Sequence, residues 1–270
     1  MTYKLLAFDM DGTILNSKKQ ISPEIIHKLE ELKKNGVFIV VATGRGLAEI
    51  SDYKNDFKAV NYGILISGGI IYDFYKNEVL AVHAVKYEQI LKIIDAGLSE
   101  GAMIHILTLN ESIANRADIL EMEKFSMGIY QPMFERICKH CDDFKEFVHK
   151  NPEKVLKVNL YHKNEESRAK TVKKLKNEDL QLVFTEKFNL EATPKNITKG
   201  SGLIELCKKL NIKLEECVSI GDSLNDYEIL KISGVGVAMG NSCEKIKKIA
   251  NFITDDNDNG GFLKALEKFF

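Results

Sequence analysis

The sequence predicts an α/β fold, a doubly wound parallel sheet with an α+β domain inserted into it. Three observations lead there. In the first and last thirds of the 270 residues, apolar runs of strand length alternate with amphipathic stretches of helix length. The runs are apolar on both faces, as strands covered by helices on each side must be. Residues 83–191 break this rhythm and read as mixed helices and strands. The expected division is therefore 1–82 and 192–270 for the parallel-sheet domain and 83–191 for the insertion.

Each element has a local reason. "YKLLAF" is an apolar run of strand length that stops at Asp9. "SPEIIHKLEELKKNG" offers Ser22 as N-cap, Pro23 at the first helical position and Gly36 as a stop, with Ile25, Ile26, Leu29 and Leu32 as its buried stripe. "VFIVVA" is a β-branched strand ending at Thr43-Gly44-Arg45, followed by a weaker helical stretch, "GLAEISDYK". "YGILISGG" is a third strand ending in paired glycines. In the insertion, "KYEQILKIIDAGLSEG" and "SRAKTVKKLKN" are helical, and "MIHILTL" and "VLKVNLYH" are strand-like. The last third resumes the alternation with "FNLEATP" as a short strand. "KGSGLIELCKKLN" follows as a helix whose Leu203, Ile204, Cys207 and Leu210 share a face. "CVSIG" is then a strand, "SLNDYEILKISG" a helix, and "VGVAMG" a strand.

Composition narrows the function. Lys and Arg total 38 against 39 Asp and Glu, a net charge of −1, which supplies no field for drawing in nucleic acid or an anionic membrane. Hydrophobic residues make up 44%, enough for a substantial core, yet no apolar run has the length of a membrane span. Five cysteines in a chain of this length fit reduced thiols better than a disulfide framework, and a cytoplasmic location is the default.

In a doubly wound sheet, sites form outside the carboxyl ends of the strands. Asp9 and Asp11, Thr43, and Ser67 stand at such ends, and "GDSLND" sets Asp222 and Asp226 around Asn225 directly after another strand. Residues two apart in a strand face the same way, so Asp9 and Asp11 can address one group together. A cluster of Asp oxygens with few His or Cys nearby suits a hard cation, Mg2+ above all. A hydroxyl, a lysine and exposed N–H groups suit a phosphoryl group. Lys199 in a first helical turn opposes the macrodipole unless both face a shared anion.

In order and spacing, "DMDGT", "ATGR", "TKG" and "GDSLND" resemble the four motifs of the haloacid dehalogenase-like hydrolases. "GVGVAMGNSCEKIKKIANFIT" and "DNDNGG" are similar to the C-terminal pattern of their Cof-type subfamily. Any one segment alone could be only a turn; the ordered set is the specific signal. The resemblance implies a Rossmann-like core with an inserted α+β cap, and an Mg2+-dependent phosphatase acting on a small phosphorylated metabolite through an aspartyl-phosphate. It makes Asp9 the nucleophile and Asp11 the general acid, then base. Thr43, Gly44, Arg45 and Lys199 surround the phosphate. Asp9, Asp222 and the Asp11 backbone carbonyl hold Mg2+, and Asn225 and Asp226 complete or orient that shell. A monomer or small homo-oligomer is implied. Two rivals share the features: a phosphomutase or phosphotransferase with the same nucleophile, and a silent regulator that only binds a phosphometabolite.

Ser67-Gly68-Gly69 stands where many relatives carry an Asn before Gly. It implies a small flexible loop, and the substrate contacts of relatives do not carry over there. In "DDNDNGGFLKAL" a calcium loop starting at Asp255 fails because its last position is Leu266, and one starting at Asp256 sets Gly260 at a ligand position. The segment reads as a turn. "CKHC" at 138–141 has zinc-like spacing without a second pair and reads as ordinary cysteines. None of the six histidines falls in the matched segments, so none is given a catalytic role. Phe125, Met127, Tyr130, Met133 and Phe134 fit either the lining of a substrate pocket under the inserted domain or apolar packing, and most of them read as packing.

Overall fold

The computed structural model describes residues 3–152 and 154–270. The strands in chain order are β1 (Leu5–Phe8), β2 (Phe38–Ala42), β3 (Tyr62–Leu65), β4 (Ile70–Asp73), β5 (Glu78–Val82), β6 (Met103–Leu107) and β7 (Ser112–Ala114). They continue with β8 (Cys138–His140), β9 (Lys157–Tyr161), β10 (Leu180–Thr185), β11 (Asn189–Pro194), β12 (Cys217–Gly221), β13 (Val235–Ala238) and β14 (Phe252–Ile253). They form an eight-stranded sheet in the order β14-β13-β12-β1-β2-β3-β4-β5 and a six-stranded sheet in the order β10-β11-β9-β6-β7-β8.

Two compact units contain these sheets. The first comprises the described N-terminus to Gly44, Asp52–Ala81 and Thr198–Phe270, and the second Arg45–Ser51 and Val82–Ile197. In the first, β14 through β3 run parallel and β4 turns back antiparallel on β3. β1 and β12 are buried along their whole length. Helices cover their faces: Pro23–Lys34 buries Ile25, Leu29 and Leu32, while Ile26 lies at the edge of that stripe. Its N-terminus forms as its sequence requires, with the Ser22 hydroxyl accepting from the Ile25 N–H (3.4 Å) and Pro23 in the first turn. The helix Lys199–Leu210 buries Leu203, Leu206 and Cys207, so its inner face is turned from the expected one and Ile204 and Leu210 flank it.

In the second unit β6 alternates, with Ile104 and Ile106 packed among Ile90, Ile93 and Val148 from the helices Tyr87–Ser99 and Phe144–Lys150. Met103 joins Phe125, Met127, Phe134 and Tyr161 in a separate cluster against which Tyr130 and Met133 pack, consistent with the apolar reading of those residues.

Three local expectations are corrected. "FNLEATP" does form a strand, but β11 is hydrogen-bonded antiparallel between β9 and β10, so residues 192–197 fall in the second unit. A run of six residues carries no information about which sheet will supply its partners. "GLAEISDYK" forms turns and one 3-10 turn at Ser51–Tyr53 instead of a helix, with the Gly46 N–H donating to the Glu49 carboxylate (2.6 Å).

The loop at Ser67-Gly68-Gly69 is tight. Ile66, Ser67 and Gly68 have φ of 52°, 56° and 101°, a run of left-handed backbone that only surrounding contacts can hold. Ser67 N–H donates to the Thr43 carbonyl (2.9 Å), and a Cβ on Gly68 would lie 2.2 Å from the Thr198 carbonyl oxygen. Gly68→Ala is therefore expected to cost about 2–4 kcal/mol. It should lower the melting temperature by about 5–10 °C in a thermal scan.

Candidate active site

The site lies in the first unit, at the carboxyl ends of adjacent parallel strands. β1 ends at Phe8, which pairs with Val41 of β2 and Ile220 of β12. Asp9 follows at once, its N–H donating to the Ile220 carbonyl (3.0 Å), so Asp9, Thr43 and Asp222 leave neighbouring strands on the same edge. Thr43 is buried, with its N–H on the Ile64 carbonyl (2.9 Å).

Because the strand stops at Phe8, strand alternation does not aim Asp11. A turn does: the Met10 carbonyl accepts from Thr13 (3.3 Å) and Leu15 (3.0 Å), and Gly12 has φ of 74°. A Cβ on Gly12 would stand 2.5 Å from a carboxylate oxygen of Asp222, so only glycine permits this approach. The Thr13 hydroxyl donates to Asp222 Oδ1 (2.9 Å). Asp11 is partly exposed and pairs with Lys19 Nζ (2.7 Å).

Lys199 unites the buried charges. It opens a helix whose N-cap, Thr198, shares a capping box with Ser201 and also donates its hydroxyl to Glu228. With 0% exposure, its Nζ contacts Asp9 Oδ1 (2.8 Å) and Asp226 Oδ1 (2.7 Å). The other Asp226 oxygen accepts the N–H groups of Asp222 and Ser223 (both 3.0 Å), which fixes the lysine's partner. Asn225 Oδ1 accepts from the Ser223 hydroxyl (2.7 Å) and so closes the same turn.

One lysine does not balance three carboxylates. Burial, opposed by Lys199 and reinforced by Asp226, pushes Asp9 up to about 7. Desolvation, then the charges of Asp9 and Asp226, raises Asp222 well above the usual carboxylate range. Burial works to lower Lys199, but Asp226 and Asp9 outweigh it and hold the ammonium charged. Oxygen atoms of Asp9, Asp222 and Asp226 lie within 4.8 Å of one another, and the described residues hold no other such group of three or more. All are hard oxygen donors carrying surplus negative charge, so the set fits Mg2+.

Arg45 belongs to the second unit, where its Nη1 donates to the Glu49 carbonyl (3.3 Å) and lies 3.5 Å from Met133 Sδ. Gly44 closes the segment of the first unit that carries Thr43. Two contributors were not assigned from the sequence: Thr13, although it stands inside "DMDGT", and Lys19, whose approach to Asp11 has no sequence signal. Among the histidines, His105 is fully buried, and burial, then Lys157, pulls it down to about 3. Asn159 Nδ2 donates to its Nδ1 (3.2 Å), which places the proton on Nε2 against Ser112 (2.6 Å), a structural arrangement. Cys138 of "CKHC" is buried, with burial pushing its thiol up to about 12.

A family model described as haloacid dehalogenase-like hydrolase matches residues 6–266. The chain belongs to that family. This hydrolase is 29% identical over 282 residues to the phosphatase YwpJ of Bacillus subtilis, covering 96% of each chain. It is 28% identical over 264 residues to 5-amino-6-(5-phospho-D-ribitylamino)uracil phosphatase YcsE of the same organism, covering 97% of this chain and 94% of that one. A solved haloacid dehalogenase-like hydrolase from B. subtilis superposes with a TM-score of 0.89 at 28% identity, covering 99% of this chain and 100% of the other. The family and these relatives make the enzyme a phosphatase with the α/β fold of its group.

Proposed function

We propose that this enzyme is a Mg2+-dependent phosphatase that hydrolyses a small phosphorylated metabolite through an aspartyl-phosphate on Asp9. The observation that carries the reading is the buried Lys199 held between Asp9 and Asp226, with Asp222 beside them.

Asp9 attacks phosphorus as the bond to the leaving oxygen breaks, and Asp11 gives that oxygen its proton. Asp11, again a carboxylate, then takes a proton from water as it attacks phosphorus. The bond to Asp9 breaks and phosphate leaves. The contact with Lys19 gives way while Asp11 carries its proton. Thr43, Gly44 and Lys199 hold the phosphoryl oxygens, Lys199 meeting the charge that builds on them. Asp9, Asp222 and the Asp11 carbonyl would ligate Mg2+, with Asn225 and Asp226 orienting that shell; bound there, the ion neutralises charge between an anionic nucleophile and an anionic substrate. The second unit, which contains Arg45, is read as the domain that selects the leaving group.

The test is phosphate release across sugar phosphates, nucleotides and cofactor phosphates, with Mg2+ and with a chelator. Release that needs Mg2+ and no acceptor is expected. Turnover that requires a sugar acceptor would make the enzyme a phosphotransferase or mutase. Binding without any turnover would make it a silent regulator.

A further inference from the structure

The segment 255–260, which fails as a calcium loop, is built as a bracket. Asp256 Oδ1 accepts the N–H groups of Asp258 (3.0 Å) and Asn259 (2.9 Å), and Asn259 Nδ2 donates to both Asp256 oxygens (2.9 Å each). Gly260 turns the chain with φ of 73°, and Gly261 N–H returns to the Asp256 carbonyl (3.0 Å). With its own carboxylate oxygens occupied from within, the turn directs other side chains outward.

They reach the loop that carries Asp11. Asn257 Nδ2 donates to the Leu15 carbonyl (2.8 Å), and Asp258 Oδ1 accepts Ser17 N–H (2.8 Å) while the Ser17 hydroxyl donates to its other oxygen. Asn241 Nδ2 donates to the Gly12 carbonyl (2.9 Å), and its Oδ1 accepts Asn257 N–H (3.3 Å), which ties the donors into one unit. The contacts made to Gly12, Leu15 and Ser17 join residues 229 to 242 positions apart. Their targets flank Asp11: Gly12 follows it directly, and Leu15 is its bridge partner. From Asp11 to Ile21 the loop has no helix or strand of its own beyond that bridge, so its local turn bonds and these donors from residues 241–258 together hold its backbone.

We infer that Asn241, Asn257 and Asp258 are positioning residues that aim the Asp11 turn for proton transfer, an inference resting on the acid role proposed for Asp11. Misplacement of a proton donor by about 1 Å costs on the order of 100-fold in rate. The loss should appear where the leaving oxygen needs its proton.

Asn257→Ala is compared with Asp11→Asn and with the double variant, on the hexose phosphate turned over fastest and on p-nitrophenyl phosphate. Asn257→Ala should lower kcat on the hexose phosphate about 10- to 100-fold. It should lower kcat on the aryl ester less than about 3-fold, with KM little changed, and add nothing to Asp11→Asn. If Asp11→Asn itself loses equally on both esters, the acid role fails. If Asp11→Asn discriminates but Asn257→Ala loses equally on both esters, or multiplies the Asp11→Asn loss, the positioning role is overturned. Should Asn257→Ala fold poorly, Asn257→Asp keeps the shape without the donated hydrogen bond and must give the same pattern; a wild-type profile in that variant overturns the inference.

Discussion

Asp9→Asn is expected to remove turnover while leaving the fold intact. An amide cannot attack phosphorus as a carboxylate does, so kcat should fall by about four orders of magnitude or more, read as steady-state phosphate release. Stability should not fall with it. The Asp9 carboxyl ionises in the fold only near pH 7, against an ordinary value of 3.8, because burial opposes its charge. A carboxyl with a raised folded pKa keeps its proton in the native state after the unfolded chain has lost it. The folded protein therefore loses stability as pH rises through that window, by at most about 1.4 kcal/mol per unit. Lys199 keeps Asp226 as a partner at 2.7 Å after the change. In chelator, the Asn variant should melt at or above the wild type at pH 8 and show a shallower decline between pH 5 and 8. Near-normal activity would overturn the nucleophile, and a collapsed melt would overturn the charge argument.

Lys199→Met is expected to damage both stability and activity. The ammonium is fully buried and is the shared partner of Asp9 and Asp226. Its removal leaves buried carboxylates without that countercharge, which costs about 3–5 kcal/mol at neutral pH. For a protein of this size that is a fall of about 10 °C in melting temperature. The loss should shrink at pH 5, where the stranded carboxyls neutralise by taking up protons. Turnover should fall about 100- to 1000-fold through loss of charge stabilisation at the phosphoryl group. A variant that melts like the wild type at pH 8 would show that the ion pairs contribute little to the fold.

Much of the site can be read from local sequence because each participant sits at an interruption of a pattern. The run Leu5–Phe8 stops at Asp9, the β-branched run stops at Thr43, and "CVSIG" stops before Asp222; a hydrophobic core makes such stops visible. Thr198 and Ser201 mark the start of the Lys199 helix through a capping box that needs only neighbouring residues. Other features have no local mark. Leu206 rather than Ile204 faces inward because the neighbouring strands decide which part of a broad apolar stripe is covered. The Ser67-Gly68-Gly69 loop looks loose in sequence, yet the approach of the Thr198 carbonyl makes it tight.

The sequence by itself determined much of the strand and helix alternation in the parallel-sheet domain, the α/β class, the family, and the short segments that carry Asp9, Asp11, Thr43, Lys199 and Asp222. These follow from periodicity, capping and turn chemistry, which act over a few residues. Only the tertiary structure decided that Lys199 bridges Asp9 and Asp226, that Asp11 is aimed by a turn and paired with Lys19, and that Arg45 and β11 belong to the second unit. It also decided that the turn at 255–260 grips the loop at 12–17. Charge balance and close approach depend on which distant segments share space, and no local pattern of residues specifies that.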